Sequence, residues 1–357
     1  MLIKEKLKQL PQRPGVYLME DSLGNIIYVG KAKNLKLRVS QYFYDKKDRE
    51  PKVAEMIDNI HTFHYRVKDT ELEAFLEECR LIKELQPRYN RQMKNYQKYS
   101  YLKVPNEEYP KLMIVNDKSD DDAVYFGPFT SLHGVESAVH YLNDFYLLRK
   151  CPSPGLVKKP NGCLFRDLGT CLGVCTGQIS SEKYRVQIEN LQKFLNGNDR
   201  FPIQELRIKL NSAIEHLDFE KAARYKEYYL GLSHVLSKQN LVQSSRKNRN
   251  ILAVEFMNTV YAKLFLIKGN RLLYQEKFNG AAVDSIESRR HLIQIINDTF
   301  VSAKKDHRQL TQYDIDEAQI IYSYLKKNRK RIMSFWIPST WLNNEIRLDN
   351  LITKIML

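Results

Sequence analysis

Two short segments near the start of the chain constrain its fold most strongly: residues 15–17 (Gly-Val-Tyr) and 28–30 (Tyr-Val-Gly). Between them, residues 21–25 have a turn-like composition, and residues that favour β-strands flank them. The pattern predicts two antiparallel strands joined by a loop. Because side chains alternate along a strand, Tyr28 and Gly30 lie on one face. Two phenols and a glycine at paired strand ends can form a shallow site that a phosphate approaches.

A basic segment directly after the second predicted strand extends this site. Its cations are Lys31, Lys33, Lys36 and Arg38. Arg38 and Tyr42 are four residues apart, so they share one face if the segment is helical. Further on, residues 71–85 carry apolar side chains at helical spacing, and Pro87 follows their end. Residues 11–97 therefore alternate short strands and helices, as a small α/β domain does.

These residue types suit the hydrolysis of a phosphodiester. That reaction needs a base for the attacking water, charge to stabilise the transition state and a group that neutralises the leaving oxygen. A carboxylate-held divalent metal usually serves the leaving oxygen, and Mg²⁺ prefers one or two carboxylates. A phenol titrates at about pH 10, and a nearby cation favours its ionised form. Tyr17 and Tyr28 are the phenols, and Arg38 can bind phosphate through two hydrogen bonds.

Taken in their order along the chain, these residues resemble the motif of the GIY-YIG nucleases, and in particular that of the bacterial UvrC-type excinucleases. The resemblance covers residues 28–35, 73–78, 81–83, 87–90 and 125–129. The catalytic roles that it implies are Tyr28 as general base, Lys31 as the cation that lowers the pKa of Tyr28, Tyr17 as partner tyrosine, Arg38 as transition-state arginine, Glu78 as the ligand of Mg²⁺ or Mn²⁺, and Tyr42 and Asn90 as supporting polar residues. The residues expected to contact DNA are Lys33, Lys36 and Arg88. At residues 95–98 the chain departs from the acidic pair and lysine that are usual in the family.

Two adjacent acids compete for the metal position. Glu77 and Glu78 lie roughly 100° apart around a helix, so only one of them faces the site. Counting back from the family segment at residues 87–90 selects Glu78. The alternative for the whole constellation is ordinary packing, because strand tyrosines are often half-buried and lysines usually form a solvated helix face.

Four of the five cysteines are clustered in a stretch with several Gly and Pro residues. Cys151, Cys163, Cys171 and Cys175 follow the spacing C-x11-C-x7-C-x3-C. Four such thiols in a chain without a secretory signal indicate a metal centre, and both Zn²⁺ and [4Fe–4S] accept four cysteines. Four unrelated buried thiols are the alternative. Residues 163–175 resemble a segment of the UvrC-type excinucleases, which implies an iron–sulfur cluster, with Zn²⁺ as the alternative.

Residues 181–240 have a helical pattern that predicts a hairpin at about 205–235. Its two apolar stripes meet at residues 217–220, which suggests a tight turn. Residues 217–224 resemble the hairpin through which the UvrC-type excinucleases contact the damage-loading helicase of the same repair system. The resemblance implies that this helicase binds Phe219, Glu220, Ala222 and Ala223. An amphipathic hairpin packed on its own domain is the alternative.

The chain is basic, with a formal net charge of +15 and a pI of about 9.4. An excess of cations among many aromatic residues favours a nucleic-acid partner, and damaged duplex DNA is the partner that the resemblance implies. No apolar run approaches the roughly 18 residues of a membrane span. The first ten residues form an amphipathic pattern without the apolar region of a signal peptide. We therefore expect no membrane association and a cytoplasmic location.

The expected fold class is multidomain α+β. It contains a GIY-YIG nuclease domain at 11–97, an α/β extension with the cysteine cluster at 98–180, a helical segment at 181–240, and a small β-meander with helices at 250–357.

The expected function is a metal-dependent DNA endonuclease that makes a single incision in damaged DNA, as in nucleotide excision repair. We expect one nuclease, without the family's RNase H-type domain. The alternatives are an idle adaptor that binds DNA and the helicase, and a nuclease of a mobile element.

Overall fold

The computed structural model describes residues 3–44, 50–90, 99–129, 131–151, 162–246, 248–279, 285–303 and 311–356. The chain divides into two compact units, Met1–Gln97 with Ser244–Leu357, and Lys98–Gln243. Each unit mixes helices and strands, and the predicted α+β class is confirmed. The departure from the family at 95–98 lies outside the described residues. In the described ranges, no helix has the length and apolar content needed to cross a bilayer.

The first part of unit one contains the predicted strand pair. Its elements are α1 (Ile3–Lys8), β1 (Gly15–Glu20), β2 (Ile26–Ala32), α2 (Leu35–Tyr44), α3 (Pro51–Asp58), β3 (Thr62–Val67) and α4 (Glu71–Leu85). The sheet has the order β2-β1-β3, and both pairings are antiparallel. In the turn between β1 and β2, Asp21 Oδ1 accepts hydrogen bonds of 2.9 Å from the N–H groups of Leu23 and Asn25.

Gly30 leaves room for a phenol on the neighbouring strand. Tyr17 pairs with Gly30 across β1 and β2. A Cβ atom on Gly30 would overlap the Tyr17 hydroxyl, so any larger residue would displace this ring. Gly15 is equally constrained, because a Cβ there would overlap the carbonyl oxygen of Arg66.

Helix α4 is fixed at both ends by its own residues. Thr70 and Glu73 form a capping box, in which each side chain accepts a hydrogen bond from the backbone N–H of the other. At the other end Gln86 adopts a left-handed conformation, with φ of 47°. One face of the helix packs on β1 and β2 through Ala74, Leu81 and Ile82. Glu78 lies on that same side, because it is one turn from both Ala74 and Ile82.

The second unit joins a small sheet to several helices. Its elements are β4 (Ser100–Val104), β5 (Met113–Val115), β6 (Val124–Phe129), α5 (Leu132–Phe145), α6 (Leu164–Asp167), α7 (Ser181–Leu195), α8 (Phe201–Glu215) and α9 (Phe219–Arg246). The sheet has the order β5-β4-β6. One hydrophobic core extends from Leu102 on β4 to Leu236 on α9. Helices α8 and α9 form the expected hairpin, and Leu217 in its turn has a φ of 56°.

The last part of unit one contains the expected meander. Its elements are β7 (Asn250–Phe256), β8 (Tyr261–Lys268), β9 (Arg271–Asn279), α10 (Ile286–Ser302), α11 (Gln312–Lys327), β10 (Ile332–Ile337) and α12 (Glu345–Met356). The antiparallel sheet has the order β10-β7-β8-β9. Helices α10 and α12 cover one face. The other face is covered by α11 and by α4 of the first part of the chain.

Candidate active site

An open cleft of about 420 Å³ lies between β1, β2, α2 and α4. Five of the predicted catalytic residues line it: Tyr17, Tyr28, Lys31, Arg38 and Glu78. Two adjacent strands, the helix that follows them and the helix packed behind them therefore bring together residues that are up to 61 positions apart in the sequence. The predicted DNA contact Lys33 also lines the cleft and is exposed.

Three tyrosine rings form a triangle on one side of this cleft. The ring centroids of Tyr17, Tyr28 and Tyr42 are 5.8 to 6.2 Å apart in pairs. The hydroxyls of Tyr17 and Tyr42 are 2.9 Å apart. Tyr17 is buried, whereas the other two rings are half-buried. Tyr42 reaches the group because it lies one helical turn after Arg38 on α2.

The phenols are held in their neutral form. Burial raises the pKa of both Tyr17 and Tyr28 well above the ordinary value of a tyrosine, and the neighbouring Tyr42 raises both further. The Arg38 guanidinium acts in the opposite direction on both phenols. At neutral pH these hydroxyls therefore carry their protons, and Arg38 is the side chain that favours losing them.

Arg38 lies at the exposed rim of the cleft. Its guanidinium carbon is 5.4 Å from the centroid of the Tyr42 ring, and Nη1 is 3.4 Å from Oε1 of Gln41. A planar guanidinium on an exposed rim can form two parallel hydrogen bonds to a phosphate. Its position beside the phenols lets one cation act on both the substrate and the candidate base.

Among the described residues that line the cleft, Glu78 is the one with an acidic side chain. Its Oε1 accepts a hydrogen bond of 2.9 Å from the backbone N–H of Lys31. Burial raises the pKa of Glu78 to about 7, although this hydrogen bond and the charges of Lys31 and Arg38 act to lower it. Binding a dication would relieve this unfavourable burial of charge. One hard carboxylate in an open cleft fits Mg²⁺ or Mn²⁺, which suit oxygen ligands; Mg²⁺ also keeps several waters.

The neighbouring Glu77 points away from the cleft and has several cationic partners. The distances from its carboxylate oxygens are 2.7 Å to Arg66, 3.0 Å to Arg80 and 3.7 Å to Lys68. Although burial acts to raise it, hydrogen bonds from Arg80 and Arg66 and the charge of Lys68 hold the pKa of Glu77 below its usual value. The two adjacent acids therefore have opposite electrostatic environments.

Lys31 contacts α4, whereas its expected role requires it to act on Tyr28. The sequence predicts that Lys31 lowers the pKa of Tyr28, but its Nζ is 2.6 Å from Oε1 of Glu71 and 3.7 Å from the centroid of the Phe75 ring. The ammonium is therefore engaged by α4, and Arg38 is the cation that lowers the pKa of Tyr28. Sequence reasoning missed Glu71, because an acid in the first turn of a helix is already explained by the helix dipole.

Asn90 supports the cleft from behind. It is buried, its Oδ1 accepts a hydrogen bond of 2.9 Å from Val29 N–H, and its Nδ2 donates one of 2.8 Å to the Val29 carbonyl. These bonds fix β2 next to Tyr28.

Of the other predicted DNA contacts, Lys36 is half-buried, and Arg88 is exposed and pairs with Glu55 at 3.0 Å.

Three of the four clustered cysteines lie close to one another. Burial raises the pKa of Cys175, and the neighbouring thiols of Cys163 and Cys151 raise it further. The Cys171 sulfur accepts a hydrogen bond of 3.3 Å from Gly173 N–H. Over the described ranges, no group of three or more Cys, His, Asp or Glu side chains is arranged to hold a metal ion.

The turn of the hairpin exposes apolar side chains. Phe219 is 76 % exposed, and Leu217 beside it is also exposed. Asp218 precedes α9, and its Oδ1 accepts a hydrogen bond of 3.1 Å from Lys221 N–H. Of the other predicted partner residues, Glu220 and Ala223 are exposed and Ala222 is half-buried. An exposed apolar patch of this kind commonly marks a protein-binding surface.

Three family models match successive parts of the chain. Residues 13–91 match the UvrC-like GIY-YIG domain, residues 99–194 the middle domain of the UvrC/Cho excinucleases, and residues 202–228 the UvrB/uvrC motif. The UvrABC system protein C of Acetivibrio thermocellus is 35% identical over 99% of this chain and 57% of its own length. That of Caldicellulosiruptor saccharolyticus is 36% identical over 78% of this chain and 47% of its own length. The chain thus spans about half the length of the curated relatives it matches.

A solved structure matches the first domain. It is the GIY-YIG N-terminal endonuclease domain of UvrC from Thermotoga maritima, bound to its catalytic divalent cation, magnesium. The two sequences are 35% identical over 25% of this chain and 96% of that one, with a TM-score of 0.23.

Proposed function

This chain belongs to the family of the UvrABC system protein C, and we propose that it is a metal-dependent DNA endonuclease of GIY-YIG type that makes one incision in damaged DNA during nucleotide excision repair. The observation that carries the proposal is the cleft in which three tyrosines, Arg38 and Glu78 meet. It supplies a candidate base, a cation for the transition state and a carboxylate for a metal. The cytoplasm is the compartment we propose for this activity.

Arg38 and the lysines of the basic segment would hold the DNA strand. Arg38 would bind the phosphate at the point of cleavage through two hydrogen bonds, because its guanidinium is exposed at the cleft rim. Lys33 at the same rim and Lys36 on α2 would contact neighbouring phosphates. Such contacts position the strand without reading its sequence.

Tyr28 is the proposed general base, because its ring is half-buried in the cleft wall whereas Tyr17 is buried. Tyr28 would first give up its own proton to solvent and then, as a phenolate, take the proton of the attacking water; Tyr42, whose hydroxyl also contacts that of Tyr17, would orient the Tyr28 oxygen. Since burial raises the pKa of Tyr28, forming its phenolate needs a nearby positive charge, and Arg38 is the side chain that supplies it. A divalent ion bound by Glu78 would supply stabilisation of the charge that develops on the leaving oxygen.

A nicking assay tests the proposal directly. The substrate is a lesion-bearing duplex labelled on one strand, incubated with the whole chain and Mg²⁺, with and without UvrB. We expect one nick, and its loss in Glu78→Gln. Glu77→Gln is the matched control, since Glu77 faces away from the cleft. Nicking by Glu78→Gln, or nicking in excess chelator, would contradict the metal assignment.

The hairpin is the proposed docking element for UvrB. The exposed Phe219 at its turn and the match to the UvrB/uvrC motif support this role. A small apolar contact of this kind usually depends on a few anchor side chains. Binding of UvrB to the wild-type chain and to Phe219→Ala, measured by calorimetry, tests it, and unchanged affinity would exclude Phe219 as an anchor.

The clustered cysteines are the proposed ligands of a [4Fe–4S] cluster, with Zn²⁺ as the alternative. The proximity of Cys175 to Cys163 and Cys151 supports a shared role. Chain purified without oxygen should contain about four irons and four sulfides per molecule, as this cluster type requires. Stoichiometric zinc without iron would favour the alternative, and the absence of both metals would leave four ordinary thiols.

A further inference from the structure

Helix α4, which carries Glu78, is covered on two sides. Its first face packs on β1 and β2, as described above. Its second face packs on the sheet formed by β7, β8, β9 and β10 through Leu72, Phe75, Leu76 and Cys79. Spacings of three and four residues place these side chains along one side of the helix. A helix of the nuclease domain thereby completes the hydrophobic core of the C-terminal domain.

A buried cation of the C-terminal domain reaches the first turn of α4. Lys263 on β8 is 7% exposed, and its Nζ is 2.9 Å from Oδ2 of Asp69 and 3.0 Å from Oε1 of Glu73. Glu73 is itself buried, and its other oxygen accepts the capping hydrogen bonds from Thr70. Lys263 therefore neutralises the carboxylate that closes the N-terminus of the helix.

A second ion pair joins the last turn of α4 to the same domain. Lys83 Nζ is 2.6 Å from Oδ2 of Asp316 on α11, and both side chains are largely buried. Glu73 and Lys83 are ten positions apart, which is about 15 Å along a helix. The C-terminal domain thus holds α4 at two points near its opposite ends. Removing one member of such a buried pair is strongly unfavourable, because the other charge stays buried.

The face held in this way is connected to the cleft. Between the two ion pairs, the Phe75 ring contacts the ammonium of Lys31 at 3.7 Å. The backbone N–H of Lys31 in turn donates to Glu78. Because Glu78 projects from the same rigid helix, a shift of α4 on the C-terminal sheet would move its carboxylate relative to Tyr28 and Arg38.

We infer that the C-terminal domain positions the metal ligand: through Lys263, and through Asp316 as the partner of Lys83, it fixes α4, and with it Glu78, in the cleft. The inference rests on the proposed role of Glu78 in holding a divalent cation. Neither lysine lines the cleft, so both are positioning residues. Mutating residues that support a metal ligand from outside the first coordination sphere typically lowers metal affinity by roughly 10- to 100-fold.

The test compares Lys263→Met with Lys268→Met in the whole chain. Lys268 is on the same strand but the opposite face, where its Nζ donates to the Phe300 carbonyl at 3.1 Å. Two readouts need no DNA: Mn²⁺ affinity by electron paramagnetic resonance, and amide hydrogen exchange of residues 71–85. We expect Lys263→Met to weaken Mn²⁺ binding by about tenfold or more and to speed exchange in α4, and Lys268→Met to change neither. Adding Glu73→Gln to Lys263→Met should restore part of the affinity.

Several outcomes would overturn the inference. One is a folded Lys263→Met variant with wild-type Mn²⁺ affinity and wild-type exchange in α4. Another is an equal loss in Lys268→Met, which would indicate general destabilisation of the domain. If Lys263→Met does not fold, Lys83→Met provides the same test at the other end of the helix. A wild-type chain that neither binds Mn²⁺ nor nicks DNA would refute the proposed function, whereas normal wild-type behaviour with a silent Lys263→Met would refute only this inference.

Discussion

Replacing Glu78 by glutamine should stabilise the metal-free protein, although it removes the proposed metal ligand. Burial raises the pKa of Glu78 to about 7, from an ordinary value of 4.5. Below pH 4.5 the carboxyl is protonated in both the folded and the unfolded chain. Between pH 4.5 and pH 7 the carboxyl of Glu78 ionises in the unfolded chain but stays largely protonated in the folded chain, so the free energy of unfolding falls as the pH rises. Above pH 7 the carboxyl is ionised in both states, and the folded protein has lost the full amount of this stability. Glutamine resembles the neutral carboxyl and can still accept the hydrogen bond from Lys31.

The size of this effect follows from the pKa difference. Each pKa unit corresponds to about 1.36 kcal/mol, so a difference of about 2.5 units gives at most about 3 kcal/mol above pH 7. Glu78 is partly reached by solvent, which makes this value an upper limit. For a unit of roughly 200 residues, the expected rise in Tm at pH 8 is roughly 5 to 10 °C.

Scanning calorimetry in excess chelator measures the difference at pH 5 and pH 8. We expect a large gain for Glu78→Gln at pH 8 and a much smaller one at pH 5. Glu77→Gln is the control of opposite sign: its pKa is lowered, so its ion pairs add stability above pH 4.5, and their loss should lower the Tm slightly at pH 8. Adding Mg²⁺ should raise the Tm of the wild type and leave that of Glu78→Gln unchanged.

The reasoning fails if Glu78→Gln melts at or below the wild-type temperature at pH 8 in chelator. It also fails if the difference between the two proteins is the same at pH 5 and pH 8, because the cost of the ionised carboxylate must disappear as it is protonated.

Three further predictions concern activity. Below pH 7 the Mg²⁺ concentration for half-maximal nicking should rise about tenfold per pH unit, because protons compete with the metal for Glu78, and a flat profile would contradict this. Tyr28→Phe should slow nicking by roughly 10² to 10⁴, the usual share of general-base catalysis, and Tyr44→Phe on the exposed end of α2 is the control; a normal rate in Tyr28→Phe would make the phenol a packing residue. Phe219→Ala should weaken UvrB-dependent incision but spare nicking without UvrB, and equal loss in both assays would assign Phe219 to the scaffold.

Local features of the fold could be predicted because local chemistry determines them. The turn after β1 depends on Asp21, which folds back on its own backbone, and this is visible in the composition of residues 21–25. Helix α4 spans Glu71–Leu85, as the apolar spacing predicts, because Thr70 and Pro87 limit it at the two ends. The choice of Glu78 over Glu77 needed the family motif in addition to the helical period.

Contacts between residues that are distant in the sequence could not be predicted in this way. Lys31 and Glu71 are forty positions apart, and Lys263 and Asp69 are 194 positions apart. A lysine among the apolar residues of β8 has no local signal that names its partner. Likewise, the second apolar face of α4 has the spacing of any core helix, so the sequence does not indicate which sheet it covers.

The ion pairs of α4 distinguish the proposed metal ligand from the other acids of the helix. The helix carries five glutamates. Among the described residues, four have a cation within ion-pair distance: Glu71 with Lys31, Glu73 with Lys263, Glu77 with Arg66, and Glu84 with Arg80. Within the same residues Glu78 has no such ion pair, and it is buried enough for its pKa to reach about 7. A protein cation in ion-pair contact would compete with a metal, so the absence of such a pair among the described residues supports the proposed role of Glu78 as the ligand of a dication.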